Sequence, residues 1–304
     1  MDDLARLAAK KENLRKRDLL HRAVRAFFFE QDFLEVATPQ KSRWLLPEEH
    51  IDFFAAEDGY LLPSPEIHMK SLLAAGFERI FQISPRHRKG ERGGRHLPEF
   101  TLLEWYRANA DYRALMSDCE KLFLALQARF GHSLQYQGIR IDLALPWPRL
   151  SVREAFRRFA AWDPWLDPDQ DRFEWDFAEK VIPALAGSRP VFLVDFPLLA
   201  ASLARRKADD AGTAERFELF VGGLELANGF SELTDPAEQR RRFERANRRR
   251  RSMGKETIEM PWRFLDRLSC MPPSAGVALG MDRLAMLFTD SARIEDVVAF
   301  DFEA

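Results

Sequence analysis

Two glutamates on one predicted hairpin are the first chemistry the chain offers. Residues 217–230 alternate in character around Gly222-Gly223, the pattern of two strands joined by a two-residue turn. In that register Val221 opposes Leu224 and Phe220 opposes Glu225, so Glu218, Phe220, Glu225 and Ala227 share one face. The two carboxylates then lie roughly 7–8 Å apart across the strands. Unpaired, each would raise the pKa of the other. A divalent cation between them removes that cost, and Mg²⁺ typically takes one or two protein carboxylates plus phosphate oxygens. The competing reading is an exposed hairpin face. In Asn228-Gly229-Phe230-Ser231-Glu232, Gly229 is expected to form a bulge that re-aims its polar neighbours. Asn228 and Glu232 can then offer an acceptor and a negative charge to an ammonium group, against ordinary Asn-Gly turn chemistry as the alternative.

A second cluster runs from Arg86 to His96, a basic, glycine-bearing stretch between two strand-like segments. Such a loop suits a polyphosphate; a solvated charged loop is the plainer account. Beyond Pro98, alternation puts Phe100, Leu102, Glu104 and Tyr106 on one face, as a ligand floor. A third piece passes from Gly276 through Gly280 into a helix with Arg283 in its first turn. The helix dipole favours anions there, so an arginine makes most sense beside a bound anion. Gly276 is expected to keep the backbone clear of a bulky ligand.

The elements that must position these residues follow from periodicity. Residues 3–31 read as one helix, with Leu14, Leu19, Leu20, Val24, Phe27 and Phe28 at helical intervals. An extended segment at 33–39 precedes a helix at 66–75, strands at 79–83 and 100–105, and a helix at 112–130. Residues 162–171 read as a surface connection, 191–196 as a buried strand and 235–251 as a polar helix. Residues 277–279 form a short strand feeding a helix from Met281. Together these imply an α+β fold with a mostly antiparallel sheet flanked by helices, as one domain over 1–304 with a helical insertion around 110–190.

Composition bounds the function. The 304 residues are 46% apolar and 31% charged, as expected of a globular protein. Lys and Arg number 46 against 48 for Asp and Glu, a net charge of −2, which gives no support to a nucleic-acid coat. The only cysteines, Cys119 and Cys270, exclude a disulfide framework and a zinc ribbon and suggest a reducing compartment. With no leader-like start and no spanning apolar run, a cytoplasmic location is expected.

Taken together and in order, the three pieces resemble the three motifs of class II aminoacyl-tRNA synthetases, and the whole chain is similar to a lysyl-tRNA synthetase catalytic domain. Residues 33–39 resemble motif 1, the dimer-interface element. Arg88 to Glu104 resemble motif 2, and Gly276 to Arg283 motif 3. Ser64-Pro65-Glu66 and the run from Arg216 to Leu233 are similar to the signature of the lysine enzymes. With the motif 1 region beginning near residue 26, no anticodon-binding domain is expected ahead of it, and Ala278 stands where the synthetases have glycine. Both features resemble the free-standing paralogue family, the elongation factor P–(R)-β-lysine ligases.

That resemblance implies ATP and Mg²⁺ as cofactors, lysine or (R)-β-lysine as substrate, elongation factor P as acceptor rather than tRNA, and a homodimer. It implies that Arg88 and Arg283 grip phosphates and are the catalytic pair, while Glu218 and Glu225 hold Mg²⁺. Phe100 would stack on adenine, with Lys89, Gly90, Glu91, His96, Leu97, Leu226 and Gly280 completing the ATP site. Ser64, Glu66, Glu104, Tyr106, Asn228, Glu232 and Ala278 would receive the amino acid. Motif 2 departs from its usual form at His87, Gly90 and Leu97; counting back from His96 selects Arg88 over Arg86 as phosphate ligand. The alternatives are a truncated synthetase that charges tRNA and a non-catalytic amino-acid-binding regulator. Eight arginines between 240 and 251 read as a solvated helix face, with a docking patch for an acidic factor or nucleic acid as the sharper alternative.

Overall fold

In the computed structural model, which describes residues 3–131 and 133–301, the strands around the candidate site join one eight-stranded sheet. Its order is Leu34–Glu35, Arg79–His87, Glu99–Ala108, Ser274–Gly280, Leu224–Ser231, Thr213–Val221, Val191–Pro197 and Arg149–Ser151. The two edge strands pair in parallel and the rest are antiparallel. This is the expected α+β architecture.

The register sets out the site floor. Glu104 pairs with Ala278, Ala278 with Asn228, and Asn228 with Glu218. The next rung runs Tyr106, Gly276, Phe230, Arg216. Alternation sends Leu103 and Trp105 into the opposite, apolar layer.

The hairpin departs from its expected register. Phe220 faces Glu225 and Val221 faces Leu224, but Leu219 then faces Ala227, so one extra residue is accommodated at Leu226 as a β-bulge. Ala227 therefore leaves the Glu218 face for the core, and Asn228 takes its place opposite Glu218. Gly229 is not the bulge. It sits in regular register, and a Cβ there would lie 2.7 Å from the Phe217 ring and 2.8 Å from Val277. The glycine lets two strands carry large side chains past each other.

One face of the sheet is covered by helices Lys11–Glu30, Tyr112–Phe130 and Met281–Thr289. Phe28 stacks on Phe81 at 4.8 Å and 16°, and Asp111 caps the second of these helices through the Arg113 and Ala114 amides. The expected helix over 3–31 is broken at Lys10 into Asp3–Ala9 and Lys11–Glu30. On the other face lie Glu66–Ala74, Pro236–Ser252 and Trp262–Leu268. Strand Arg79–His87 runs four residues beyond its expected end at Ile83, so Arg86 and His87 belong to a strand and not to the basic loop.

Between Tyr112–Phe130 and strand Val191–Pro197 the chain adds two helical turns of π type, Phe156–Ala160 and Phe177–Val181. Stacked rings of Phe156, Phe173 and Phe177 hold this layer together, with centroids 4.6 and 5.6 Å apart. Phe173 and Phe177 also form part of the roof over the site.

Candidate active site

A cavity of about 460 Å³ opens above the two floor rungs. Of the residues predicted from sequence, Ser64, Glu66, Arg88, Glu91, His96, Leu97, Phe100, Glu104, Tyr106, Glu218, Glu225, Leu226, Asn228, Ala278, Gly280 and Arg283 line it. Lys89, Gly90 and Glu232 do not. The Lys89 amide bonds the Asp52 carbonyl at 2.9 Å, and Gly90 takes φ +84°, a turn that glycine adopts readily.

One end of the cavity is built to hold negative charge. Arg88 lies over the Phe100 ring at 5.1 Å and 3.5 Å from Glu91. Its buried Nε has no hydrogen-bond partner among the described residues, a donor held ready for an acceptor oxygen. Arg86, by contrast, is fully buried and donates to Ser84 Oγ, the Pro39 carbonyl and Thr38 Oγ1. The structure thus separates a structural arginine from one that faces the cavity. The basic loop folds back on itself through paired Gly93–His96 backbone bonds, bringing His96 against Arg283. Burial, with Arg283 beside it, lowers the His96 pKa and favours the neutral ring.

Glu218 and Glu225 flank this end. Burial pushes Glu218 up to about 7 despite Arg216, whose Nη2 donates to it at 2.7 Å. The repulsion expected between the two carboxylates is thus partly met by an arginine that the hairpin pattern did not single out. Arg216 also donates to Asn228 Oδ1 and to the Ala200 carbonyl. Glu225 accepts from Arg283 at 3.5 Å. These hard carboxylate oxygens beside guanidinium groups suit a small divalent cation shared with phosphate.

The other end is acidic and sealed. Glu104 is 2% exposed and accepts from Ser64 Oγ at 2.6 Å and Tyr106 Oη at 2.8 Å. Burial, reinforced by the Glu66 charge, raises its pKa to about 7. Gly276 does not clear space for a ligand, as its position suggested. A Cβ there would lie 2.2 Å from the Tyr106 ring and 2.6 Å from Glu232 Oε1, so the glycine makes room for the pocket's own side chains. Glu232 is fully buried behind this wall.

The profile of the tRNA synthetases class II (D, K and N) matches residues 2–303. The chain belongs to that family. Among its curated relatives, the elongation factor P–(R)-β-lysine ligase of Erwinia tasmaniensis is 39% identical, covering 95% of this chain and 94% of that protein. The ligase of the same name from Haemophilus influenzae strain PittGG is 40% identical with the same coverage. A lysine–tRNA ligase of Pelotomaculum thermopropionicum is 36% identical over 95% of this chain but only 63% of its own length. No helix among the described residues is long and apolar enough to cross a membrane.

Within this class II synthetase scaffold, three residues escaped the sequence reading: Arg216 and Glu48, which line the cavity, and Lys70, buried behind it. Arg216 had a signal, since it alternates with Glu218 on the same strand. Lys70, four residues after Glu66 on one helix, had one too. Glu48 had none. It reaches the cavity on a loop whose carbonyls at Glu48 and Ile51 accept from Arg250 Nη1 at 3.0 and 2.7 Å, and burial raises its pKa to about 7. At the mouth, His50 Nε2 lies 3.0 Å from Glu174 Oε1 and Gln170 donates to Glu49. Glu49, His50 and Glu174 are close enough to share a metal ion, yet they already pair with one another and with Gln170.

The arginine-rich helix is largely accounted for by internal contacts. Arg242 is buried and donates to the Ser202 and Ala204 carbonyls, Arg250 pins the loop just described, and Arg249 pairs with Asp171. Arg240 and Arg241 pair with Glu244 and Glu238. Arg245, exposed, is the member of this outer set that lines the cavity.

Proposed function

We propose that this protein activates (R)-β-lysine, or lysine, with ATP as an aminoacyl-adenylate and transfers it to a lysine side chain of elongation factor P. The observation that carries this reading is the polarity of one continuous cavity. A guanidinium–carboxylate end suits a nucleotide triphosphate, and an acidic end suits an amino acid bearing two ammonium groups. The close full-length similarity to proteins named for that ligation supports it. A homodimer in the cytoplasm completes the proposal.

No side-chain nucleophile is required. The substrate carboxylate attacks the α-phosphorus, and pyrophosphate departs. The protein's part is positioning and charge stabilisation. Arg88 would hold the α-phosphate through its unpartnered Nε, and Arg283 would hold the terminal phosphate from the start of its helix. Phe100 would support the adenine, with the backbone at His96 and Leu97 along its edge. Glu218 and Glu225 would hold Mg²⁺, which neutralises phosphate charge when bound. Glu66, Glu104, Tyr106 and Asn228 would orient the amino end. In the transfer step the neutral acceptor amine attacks the acyl carbon, AMP leaves with the electron pair of the broken C–O bond, and the nitrogen gives up one proton to the departing phosphate or to solvent.

The test is transfer of radiolabelled (R)-β-lysine and L-lysine to purified elongation factor P and, separately, to lysine tRNA, with ATP and Mg²⁺. Label on the protein, strongest with the β-isomer, is expected. Label confined to tRNA would make this a minimal synthetase.

A further inference from the structure

Behind the acidic end of the cavity lies a buried ion triad. Lys70 Nζ stands 2.6 Å from Glu66 Oε1 and 2.6 Å from Glu232 Oε2, and the lysine is only 2% exposed. Its ammonium also sits 5.2 Å over the Phe230 ring, a residue of the cavity wall. Burial alone would discharge this lysine, but the Glu232 and Glu66 charges outweigh it and raise its pKa. Burial pushes Glu232 up to about 8 while Lys70 opposes that shift; with two carboxylates in contact, the ammonium stays charged. Glu66 lines the cavity and Glu232 lies behind it, so the lysine couples a cavity-facing carboxylate to a sealed one.

We propose that Lys70 is a positioning residue of the amino-acid pocket, a built-in counter-ion that fastens Glu66 to Glu232 and so orients Glu66 toward a substrate ammonium group. The inference rests on the amino-acid-activating reading above for its substrate, though not for the triad itself. Glu66 and Glu232 both contact this one lysine, and Glu104 lies beside Glu66 at the same end, so Lys70 is the cation that holds these carboxylates together in the absence of a substrate ammonium group. Without the lysine, like charges would stand together in a low-dielectric site, and a proton or a side-chain rearrangement would relieve them. Either response takes Glu66 out of its oriented, ionised state. Lys70 touches neither ATP nor the acyl carbon in this arrangement, so its loss should be read in amino-acid affinity.

The experiment measures amino-acid-dependent ATP–pyrophosphate exchange for the wild type, Lys70→Gln and Lys70→Arg. Lys70→Gln should raise KM for the diamino acid by roughly 30-fold or more, with the KM for ATP and kcat at saturation little changed. Lys70→Arg should recover part of the loss. A folded Lys70→Gln protein with wild-type amino-acid KM, or with equal losses toward ATP and amino acid, overturns the proposal. If Lys70→Gln does not fold, the double variant Lys70→Met/Glu232→Gln removes the sealed carboxylate together with the lysine, leaving only the cavity-facing Glu66, and takes its place. It should fold and still lose amino-acid affinity; wild-type KM there overturns the proposal equally. The triad is tested without substrate by ¹⁵N NMR of the lysine ammonium groups. A resonance protected from solvent exchange, absent in Lys70→Gln or the double variant, is expected, and its absence from the wild type overturns the triad. A wild type that shows the resonance but no exchange with any diamino acid overturns the substrate reading, and the role of Lys70 toward it, while the triad stands.

Discussion

Arg283 Nη1 donates to the Glu225 backbone carbonyl at 2.9 Å, so the arginine of the last helix is fastened to the hairpin that carries both candidate metal ligands. The same guanidinium reaches the Arg95 carbonyl and His96. One side chain therefore ties the basic loop, the hairpin and the helix start into a single rim. This explains how a cation is tolerated at the positive end of a helix dipole: its immediate neighbours are two carbonyl oxygens, a carboxylate oxygen and the His96 ring nitrogen.

Arg283→Ala should lower adenylation by roughly 10²–10³-fold, the scale of losing one preorganised charge stabiliser. Arg283→Lys should recover little, because a single ammonium cannot hold the carbonyl and a phosphate with the same fork geometry. Pyrophosphate exchange at saturating amino acid checks both. Near-normal exchange in Arg283→Ala would remove this residue from the ATP site.

Arg250 gives a prediction about the loop that brings Glu48 to the cavity. Its guanidinium serves the carbonyls of Glu48, Ile51 and Glu256 and pairs with Asp52. Arg250→Met should destabilise the protein by roughly 3 kcal/mol or more, since several charge-assisted bonds are lost and their acceptors left unpaired. Urea unfolding measures this, and an unchanged midpoint would mean the loop holds without it.

Glu104 predicts a pH signature. Its pKa is about 7 in the folded protein against an ordinary 4.5, so the folded state binds the proton more tightly than the unfolded chain. The stability this gives is full below the ordinary value and is lost as pH rises through 7. Glu104→Gln stays neutral throughout, so its stability relative to wild type should improve between pH 5 and pH 8, by up to about 3 kcal/mol. Chemical denaturation at several pH values reads the slope, and a flat difference would contradict it.

How far the sequence carried these conclusions depended on the range of the interaction. Strand alternation placed Phe100, Leu102, Glu104 and Tyr106 on one face, and the register bears this out through the rungs at Glu104 and Tyr106. The turn at Gly222-Gly223 was also legible, because positive φ at both residues needs glycine. The bulge at Leu226 was not, since nothing local distinguishes it from its neighbours. It is imposed by pairing Asn228 with both Glu218 and Ala278. The roles of Gly229 and Gly276 were hidden for the same reason: each answers a side chain from another strand. Lys70 and Glu232 are 162 residues apart, and no spacing rule joins them.

Gly276→Ala should be severe. The added methyl would meet the Tyr106 ring at 2.2 Å and Glu232 Oε1 at 2.6 Å, where neither neighbour is a free surface group. Overpacking of this kind costs roughly 1–3 kcal/mol, occasionally more. Activity should fall further than stability if the displaced groups serve the proposed amino-acid end of the cavity. Thermal melting beside pyrophosphate exchange separates the two effects, and wild-type melting would show that the wall can yield.

Ala278 supplies the prediction about substrate choice. Its methyl group stands in the floor between Glu104 and Asn228, the register partners on either side. Moving an amino group from the α to the β carbon shifts an ammonium by about one bond, a distance over which a single methyl matters. Ala278→Gly should therefore move preference toward L-lysine by roughly tenfold or more, the usual worth of one methyl in a packed pocket. The measurement is the ratio of kcat/KM for (R)-β-lysine and L-lysine in pyrophosphate exchange, wild type against variant. An unchanged ratio with intact activity would place the discrimination elsewhere, and Glu48, the unassigned carboxylate that lines the cavity and feels the Glu66 charge, would be the next residue to change.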